Sequence, residues 1–216
     1  KMVKTLFWDI DTQFDFMDPA GKLYVPGAEK LIDRVSQIRR FALDYGFGII
    51  ASADWHSPEN EEIAEEADFE RTFPPHCLAG QQGSRRVGNQ GPLAVQYVDD
   101  KVLSQETLSG YIRTVPFHLE IHKSQIDPFT NPNTWELLRL VNPRQVILYG
   151  IALDFCVRLT VNELLNWGRA ELVVLADAAK GMGSIPDEQV FEEFRSRGVR
   201  VTVFEEIRKE LAGVAA

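Results

Sequence analysis

The stretch Gln145-Val146-Ile147-Leu148-Tyr149-Gly150-Ile151-Ala152-Leu153-Asp154-Phe155-Cys156-Val157-Arg158 governs the reading of the chain. Its apolar start, Gln145 to Leu148, reads as a buried strand. Beyond it, Val157, Leu159, Val161, Leu164 and Leu165 fall at helical spacing, closed by Gly168. A cysteine therefore stands where a strand turns into a helix. The helix N-terminus carries partial positive charge and free N–H groups, which favour a thiolate over a thiol and can hold an oxyanion. The competing reading is a small buried apolar cysteine, the commoner fate of a lone thiol.

Downstream, Glu171 to Asp177 reads as a second buried strand, Pro186 to Arg197 as a helix, Val199 to Phe204 as a last strand and Glu205 to Gly213 as a terminal helix. Upstream, Val3 to Ile10 is a near-continuous apolar run, hence a strand covered on both faces. Pro26 and Gly27 open a helix that Gly46 ends, and Phe47 to Ala53 is the next strand. His118 to Ile121 alternates as a strand, and Thr134 to Leu140 is a short helix. Residues 57–72 form a polar, acidic excursion with one short helical turn. Residues 79–95 read as a loop whose glycines lack the spacing of a phosphate-binding loop. Residues 96–117 are expected to hold a short strand, a turn and one short helix. Strands alternating with helices indicate an α/β fold: an open, mostly parallel sheet of about six strands with helices on both faces, a Rossmann-like three-layer arrangement. No repeat or linker divides the chain, so residues 1–216 are expected to form one domain.

At 216 residues the chain can bury a substantial core without staples. Hydrophobic residues make up 44% and charged residues 25%, an ordinary globular balance. A net charge of −9 argues against nucleic acid or an anionic membrane as the main partner. Two cysteines, Cys77 and Cys156, are too few for a disulfide framework. No apolar run reaches the roughly 18 residues of a membrane span, and no signal peptide is evident, so a cytoplasmic location is expected.

Several polar residues stand at the ends of these strands, where open α/β sheets place their sites. Asp11 and Asp15 follow the first strand, within Asp11-Thr12-Gln13-Phe14-Asp15-Phe16. Asp54-Trp55-His56 follows the second, and in extended chain residues i and i+2 point the same way. Phe73-Pro74-Pro75-His76-Cys77 is stiffened by its prolines, and could hold His76 against Asp54 and His56. One Asp and two His suit a transition metal with open positions. Lys123 ends a further strand; a lysine there is ordinarily solvated.

Taken together, these residues resemble the isochorismatase-like cysteine hydrolases, and within them the nicotinamidases. Five motifs carry the resemblance in order: Asp11-Thr12-Gln13-Phe14-Asp15-Phe16; Asp54-Trp55-His56; Phe73-Pro74-Pro75-His76-Cys77; Lys123; and Gly150-Ile151-Ala152-Leu153-Asp154-Phe155-Cys156-Val157. The resemblance implies Cys156 as nucleophile, Asp11 as general base and Lys123 as the partner that favours the charged pair. It implies a cis peptide before Ala152, with the Ala152 and Cys156 amides facing one oxyanion. Asp54, His56 and His76 would hold a divalent metal, with zinc expected and manganese or iron as alternatives. Phe16 and Phe73 would line a pocket for a flat ring. The implied reaction is cleavage of nicotinamide or a pyrazinamide-like amide; relatives often assemble as dimers or larger, so a homo-oligomer is expected.

Three features depart from that pattern. Where some nicotinamidases carry another histidine six residues after the histidine of the metal pair, this chain has Glu62, so either the metal shell differs or Glu62 coordinates. The segment from His76 to Lys123 is long, and Asp127-Pro128-Phe129 replaces a Tyr/Ser-rich stretch. Two rivals accompany the nicotinamidase reading: a metal-bearing cysteine hydrolase of another small amide, ureide or carbamoyl compound, and a catalytically idle binding protein. The joint presence of Asp11, Lys123 and Cys156 argues against the latter.

Overall fold

The computed structural model describes residues 5–214. Its centre is a seven-stranded parallel sheet: β1 (Thr5–Ile10), β2 (Gly48–Asp54), β3 (Gln96–Val98), β4 (His118–Lys123), β5 (Gln145–Ile151), β6 (Glu171–Lys180) and β7 (Arg200–Thr202). The spatial order is β3-β4-β2-β1-β5-β6-β7. Val3 and Lys4 of the expected first strand lie outside the described residues. The helices are α1 (Phe14–Met17), α2 (Ile32–Asp44), α3 (Gln105–Tyr111), α4 (Thr134–Val141), α5 (Arg158–Trp167), α6 (Asp187–Ser196) and α7 (Phe204–Val214). None of them is long and apolar enough to cross a membrane.

The near-continuous apolar run of β1 arises because both faces of the sheet are covered. Successive side chains go to opposite faces. Leu6, Trp8 and Ile10 join one apolar layer with Leu108 of α3, Leu138 of α4, Leu164 of α5 and Phe194 of α6. Phe7 joins the other layer with Val35, Ile38 and Phe41 of α2 and Ile207 of α7. Each such side chain removed from water contributes about 1.5–3 kcal/mol. Both edge strands have three residues, which limits the unpaired backbone they offer to other chains.

Some boundaries differ from the sequence reading for local reasons. The helix expected from Gly27 begins as a 3-10 turn, Ala28–Leu31, before α2. The last strand stops at Thr202 because the Asp177 carboxylate accepts the Phe204 amide at 2.9 Å, and the chain turns there into α7. Residues 57–72 contain no helix; they are bends and turns held by the Ile63–Phe73 bridge.

Beneath the carboxyl ends of the strands lies a buried ionic brace. Asp9, fully buried, accepts from Arg39 Nε of α2 at 2.5 Å and from Thr12 Oγ1 at 2.7 Å, with Arg86 Nη1 at 3.2 Å. Burial pushes the Asp9 carboxyl up, but the two guanidiniums hold it below the usual carboxylate range. This ties the end of β1 to α2 and to the loop at residues 85–87.

β1 is flanked by β2 and β5, so the chain passes from one half of the sheet to the other beside it. Open α/β sheets bind ligands at the carboxyl ends of the strands at such a switch point. Asp11 follows β1, Asp54 ends β2, Lys123 ends β4, and the cysteine turn follows β5.

Candidate active site

The cysteine turn is fitted tightly against β1. Gly150 pairs with Ile10 and has φ +130°; a Cβ there would lie 2.0 Å from the Ile10 carbonyl oxygen. Only glycine lets the end of β5 approach so closely. The Ile151–Ala152 peptide is cis, as the resemblance implies. The helix does not begin directly: Leu153–Val157 winds as a single π turn, with the Phe155 and Val157 amides both donating to the Ala152 carbonyl at 3.1 Å. α5 continues from Arg158 and ends at Gly168, whose φ is +64°. The Asp154 carboxylate accepts the Met182, Gly183 and Ser184 amides and the Ser184 hydroxyl at 2.7–3.1 Å, fastening the loop after β6 to this turn.

Asp11, Lys123 and Cys156 come together in the interior. Lys123 Nζ lies 3.0 Å from Asp11 Oδ2 and 3.8 Å from Cys156 Sγ, and also binds the Asp54 carboxylate. Asp11 has φ +50°, a conformation a non-glycine residue seldom takes outside special sites. Its neighbours include the Cys156 thiol as well as Lys123. Neither contact is aligned as a strong hydrogen bond, so both carboxylate oxygens keep unused acceptor capacity. Burial raises the Asp11 pKa, Lys123 opposes the shift, and Asp54 adds to it. Burial pulls the Lys123 ammonium down, but Asp11, Asp54 and Cys156 more than reverse this and hold it well above the ordinary lysine value.

The turn stands at the start of a helix, yet burial above all pushes the Cys156 thiol well up; the Lys123 charge opposes this, while Asp11 and Asp54 add to it.

Asp54, His56 and His76 meet next to this cluster, with one ligand atom from each within 4.8 Å of the others. The backbone brings them there. The His56 amide donates to the Cys77 carbonyl and the Ala79 amide to the His56 carbonyl, pairing residue 56 with the segment after His76. The Gln13 side chain clamps the end of β2, donating to the Asp54 carbonyl and accepting the Asp54 amide, each at 2.8 Å. His76 Nδ1 donates to the Pro74 carbonyl at 2.7 Å, and Nε2 points at Asp54 Oδ2 at 3.2 Å. A metal-ligating histidine is commonly oriented in this way by its other nitrogen. His56 is fully buried, its Nε2 is 3.4 Å from Asp54 Oδ2, and neither ring nitrogen makes a hydrogen bond. A buried imidazole whose ring nitrogens have no hydrogen-bond partner, beside a carboxylate, fits a divalent metal that would take one nitrogen's lone pair.

Between the two clusters opens a narrow cleft of about 30 Å³, lined in part by Asp54, His76, Ala152 and Cys156. That is far below the roughly 300–1,000 Å³ of ordinary ligand sites, so only a small, flat molecule would enter, with some movement of the walls. Phe16 and Phe73 both line it, as expected, and the Phe73 and Phe155 rings meet edge to face at 5.7 Å. Leu23, Ile126, Phe155 and Met182 also form its walls, although the sequence reading gave them no role. Phe155 stood within the cysteine motif; the others come from loops without periodicity and carried no signal. Glu62 lines the cleft too, but it lies outside the Asp-His-His cluster and its Oε1 accepts the Ile126 amide at 2.5 Å.

Comparison with known proteins gives a consistent picture. A family model described as the isochorismatase domain matches residues 112–206. The nicotinamidase/pyrazinamidase of Mycobacterium tuberculosis is 28% identical over 192 residues, spanning 89% of this chain and 95% of that protein. The nicotinamidase of Saccharomyces cerevisiae is 23% identical over 217 residues, spanning 89% and 96%. Among solved structures, the pyrazinamidase of Pyrococcus horikoshii in complex with zinc superposes with a TM-score of 0.72 at 26% identity, spanning 93% of this chain and 99% of that one.

Proposed function

We propose that the chain, which is similar to the isochorismatase-like hydrolases and among them to the nicotinamidases, hydrolyses nicotinamide, or a pyrazinamide-like aromatic amide, to the acid and ammonia through a cysteine thioester. One observation carries the reading: Lys123 Nζ stands 3.0 Å from Asp11 Oδ2 and 3.8 Å from Cys156 Sγ at the edge of an aromatic-walled cleft. The names of the relatives supply the substrate class.

In this reading Cys156 is the nucleophile and Asp11 the general base. An amide is a poor electrophile with a poor leaving group, and covalent catalysis divides the work. Asp11, with its raised pKa and unused acceptor capacity, takes the thiol proton as Sγ attacks the carbonyl carbon. The Ala152 and Cys156 amides stabilise the oxyanion, each donor worth about 3 kcal/mol. The tetrahedral intermediate expels ammonia, which takes the proton held by Asp11. Asp11 then deprotonates a water that attacks the thioester; the acid leaves and the thiol is restored. Lys123 keeps its charge throughout and offsets the buried carboxylate.

Asp54, His56 and His76 would hold the divalent ion, zinc in first place with manganese or iron as alternatives. Such an ion would supply a Lewis-acid anchor for the substrate ring. Phe16 and Phe73 would then pack the ring. The acid product and the family support a place in NAD salvage.

The deciding experiment is ammonia release from nicotinamide by the purified protein with added divalent metal, beside Cys156→Ala. Turnover by the parent and none by the variant supports the reading. No turnover by the parent, with Cys156 still alkylated readily, directs the assignment to another small amide, ureide or carbamoyl compound.

A further inference from the structure

Two segments that belong to no sheet strand face each other across the cleft: the acidic excursion after β2 and residues 124–127 after β4. Glu62 joins them. Its backbone carbonyl accepts the Phe73 amide at 2.7 Å, and the Phe73 carbonyl accepts the Ala64 amide at 3.0 Å, so Glu62 is fixed to an aromatic wall of the cleft. Its side chain crosses to the other segment, where Oε1 accepts the Ile126 amide at 2.5 Å. Among the described residues that is the one hydrogen bond this amide makes. Glu62, Phe73 and Ile126 all line the cleft. Lys123 Nζ also donates to the Gln125 carbonyl at 3.2 Å, and Asp127 accepts the Phe129 amide and the Thr130 hydroxyl of the turn that follows.

We propose that Glu62 is a positioning residue that latches the Ile126 wall to the Phe73 wall and so sets the width of the slot for a flat aromatic amide. The inference rests on the proposed function for the substrate, though not for the latch itself. A carboxylate bridging two loops through a single part-buried amide holds a wall in place, with no hydrogen bond to Cys156 or Asp11. Its loss therefore lowers affinity for the ring more than it slows the chemistry. The bond occupies Oε1, and Glu62 lies outside the Asp54-His56-His76 group.

The test compares the full-length parent with Glu62→Ala and Glu62→Gln, since glutamine retains a neutral oxygen that can accept the Ile126 amide. Amide hydrogen exchange over residues 124–127 reads the latch directly. Exchange is expected to accelerate about tenfold or more in Glu62→Ala, as for loss of a hydrogen bond to a charged acceptor, and to be largely restored in Glu62→Gln. With nicotinamide as substrate, KM is expected to rise about tenfold in the alanine variant with kcat within about threefold, and bound metal to stay at the parent level. Unchanged exchange in Glu62→Ala overturns the latch, and loss of metal in that variant overturns it in favour of ligation. If the parent releases no ammonia from nicotinamide, the substrate assignment fails while the exchange measurement still decides the latch.

Discussion

The Lys123 ammonium bonds the Asp54 carboxylate while it stands 3.0 Å from Asp11. One buried cation is thus shared between the acid beside the thiol and the acid of the Asp-His-His group. The register of the sheet produces this: Lys123 and Asp54 are partners across β4 and β2.

Removing that cation has two separable effects. Lys123→Met is expected to lower kcat/KM on the accepted amide by about 10²–10⁴, the ordinary scale for a group that supports proton transfer. It also leaves Asp11 and Asp54 as buried like charges, at about 3–5 kcal/mol in the metal-free protein. Urea unfolding with chelator and then with added divalent metal separates the two. Part of the lost stability should return with metal, and an unaltered midpoint in chelator would show that the two carboxylates do not depend on Lys123.

The two thiols should differ through access. Burial raises both, but Cys156 is 8% exposed and opens onto the cleft while Cys77 is 0% exposed. Iodoacetamide at neutral pH, followed by peptide mass spectrometry, should label Cys156 at least about tenfold faster. Equal rates would remove the case for a poised nucleophile.

Metal retention should depend on His56. Its buried ring nitrogens make no hydrogen bond in the protein, so one of them can take an ion without breaking a bond. His56→Ala is expected to weaken divalent-metal binding beyond the roughly 10–100-fold that outer partners cost, with the fold intact by circular dichroism. Metal content equal to the parent would move the site elsewhere.

Acid sensitivity should begin well above the carboxylate range. Burial first, then Arg86, lowers the His118 pKa from 6.5 to about 3. Between those values the unfolded chain binds a proton that the folded chain refuses, so stability is full above pH 6.5 and falls as the pH drops towards 3. Asp9 and Asp54, both lowered from 3.8, add their loss only below that pH. Urea midpoints of the parent should therefore decline between pH 6.5 and 4, and His118→Gln should flatten the decline. An identical slope in the variant would assign it to other groups.

The strands and the residues at their ends were legible in the sequence because both rest on local patterns. β1 and β5 are short apolar runs, and Asp11, Asp54 and Lys123 each follow or end a strand, where chain topology collects them. Ile126 and Met182 were not legible, since loop residues reach the cleft through bonds such as Glu62 to Ile126 and Asp154 to Met182 that no periodicity encodes. The upward push on the Cys156 thiol escaped for a different reason. A helix start is visible in one dimension, but the burial that dominates, and the charges of Lys123, Asp11 and Asp54 around it, exist only after the strands have been laid side by side.

The bare Cα of Gly150 against the Ile10 carbonyl gives the site a mechanical property. Base and nucleophile are borne by adjacent strands welded at that contact, while the cleft walls hang from outer loops. The wall at residues 181–185 is tied to the cysteine turn by Asp154, and the wall at residues 57–73 to Ile126 by Glu62, so both hang on side-chain bonds rather than on the sheet. Substitutions in the walls can therefore reshape the cleft while the contact of Gly150 with Ile10 keeps Asp11 and Cys156 in register.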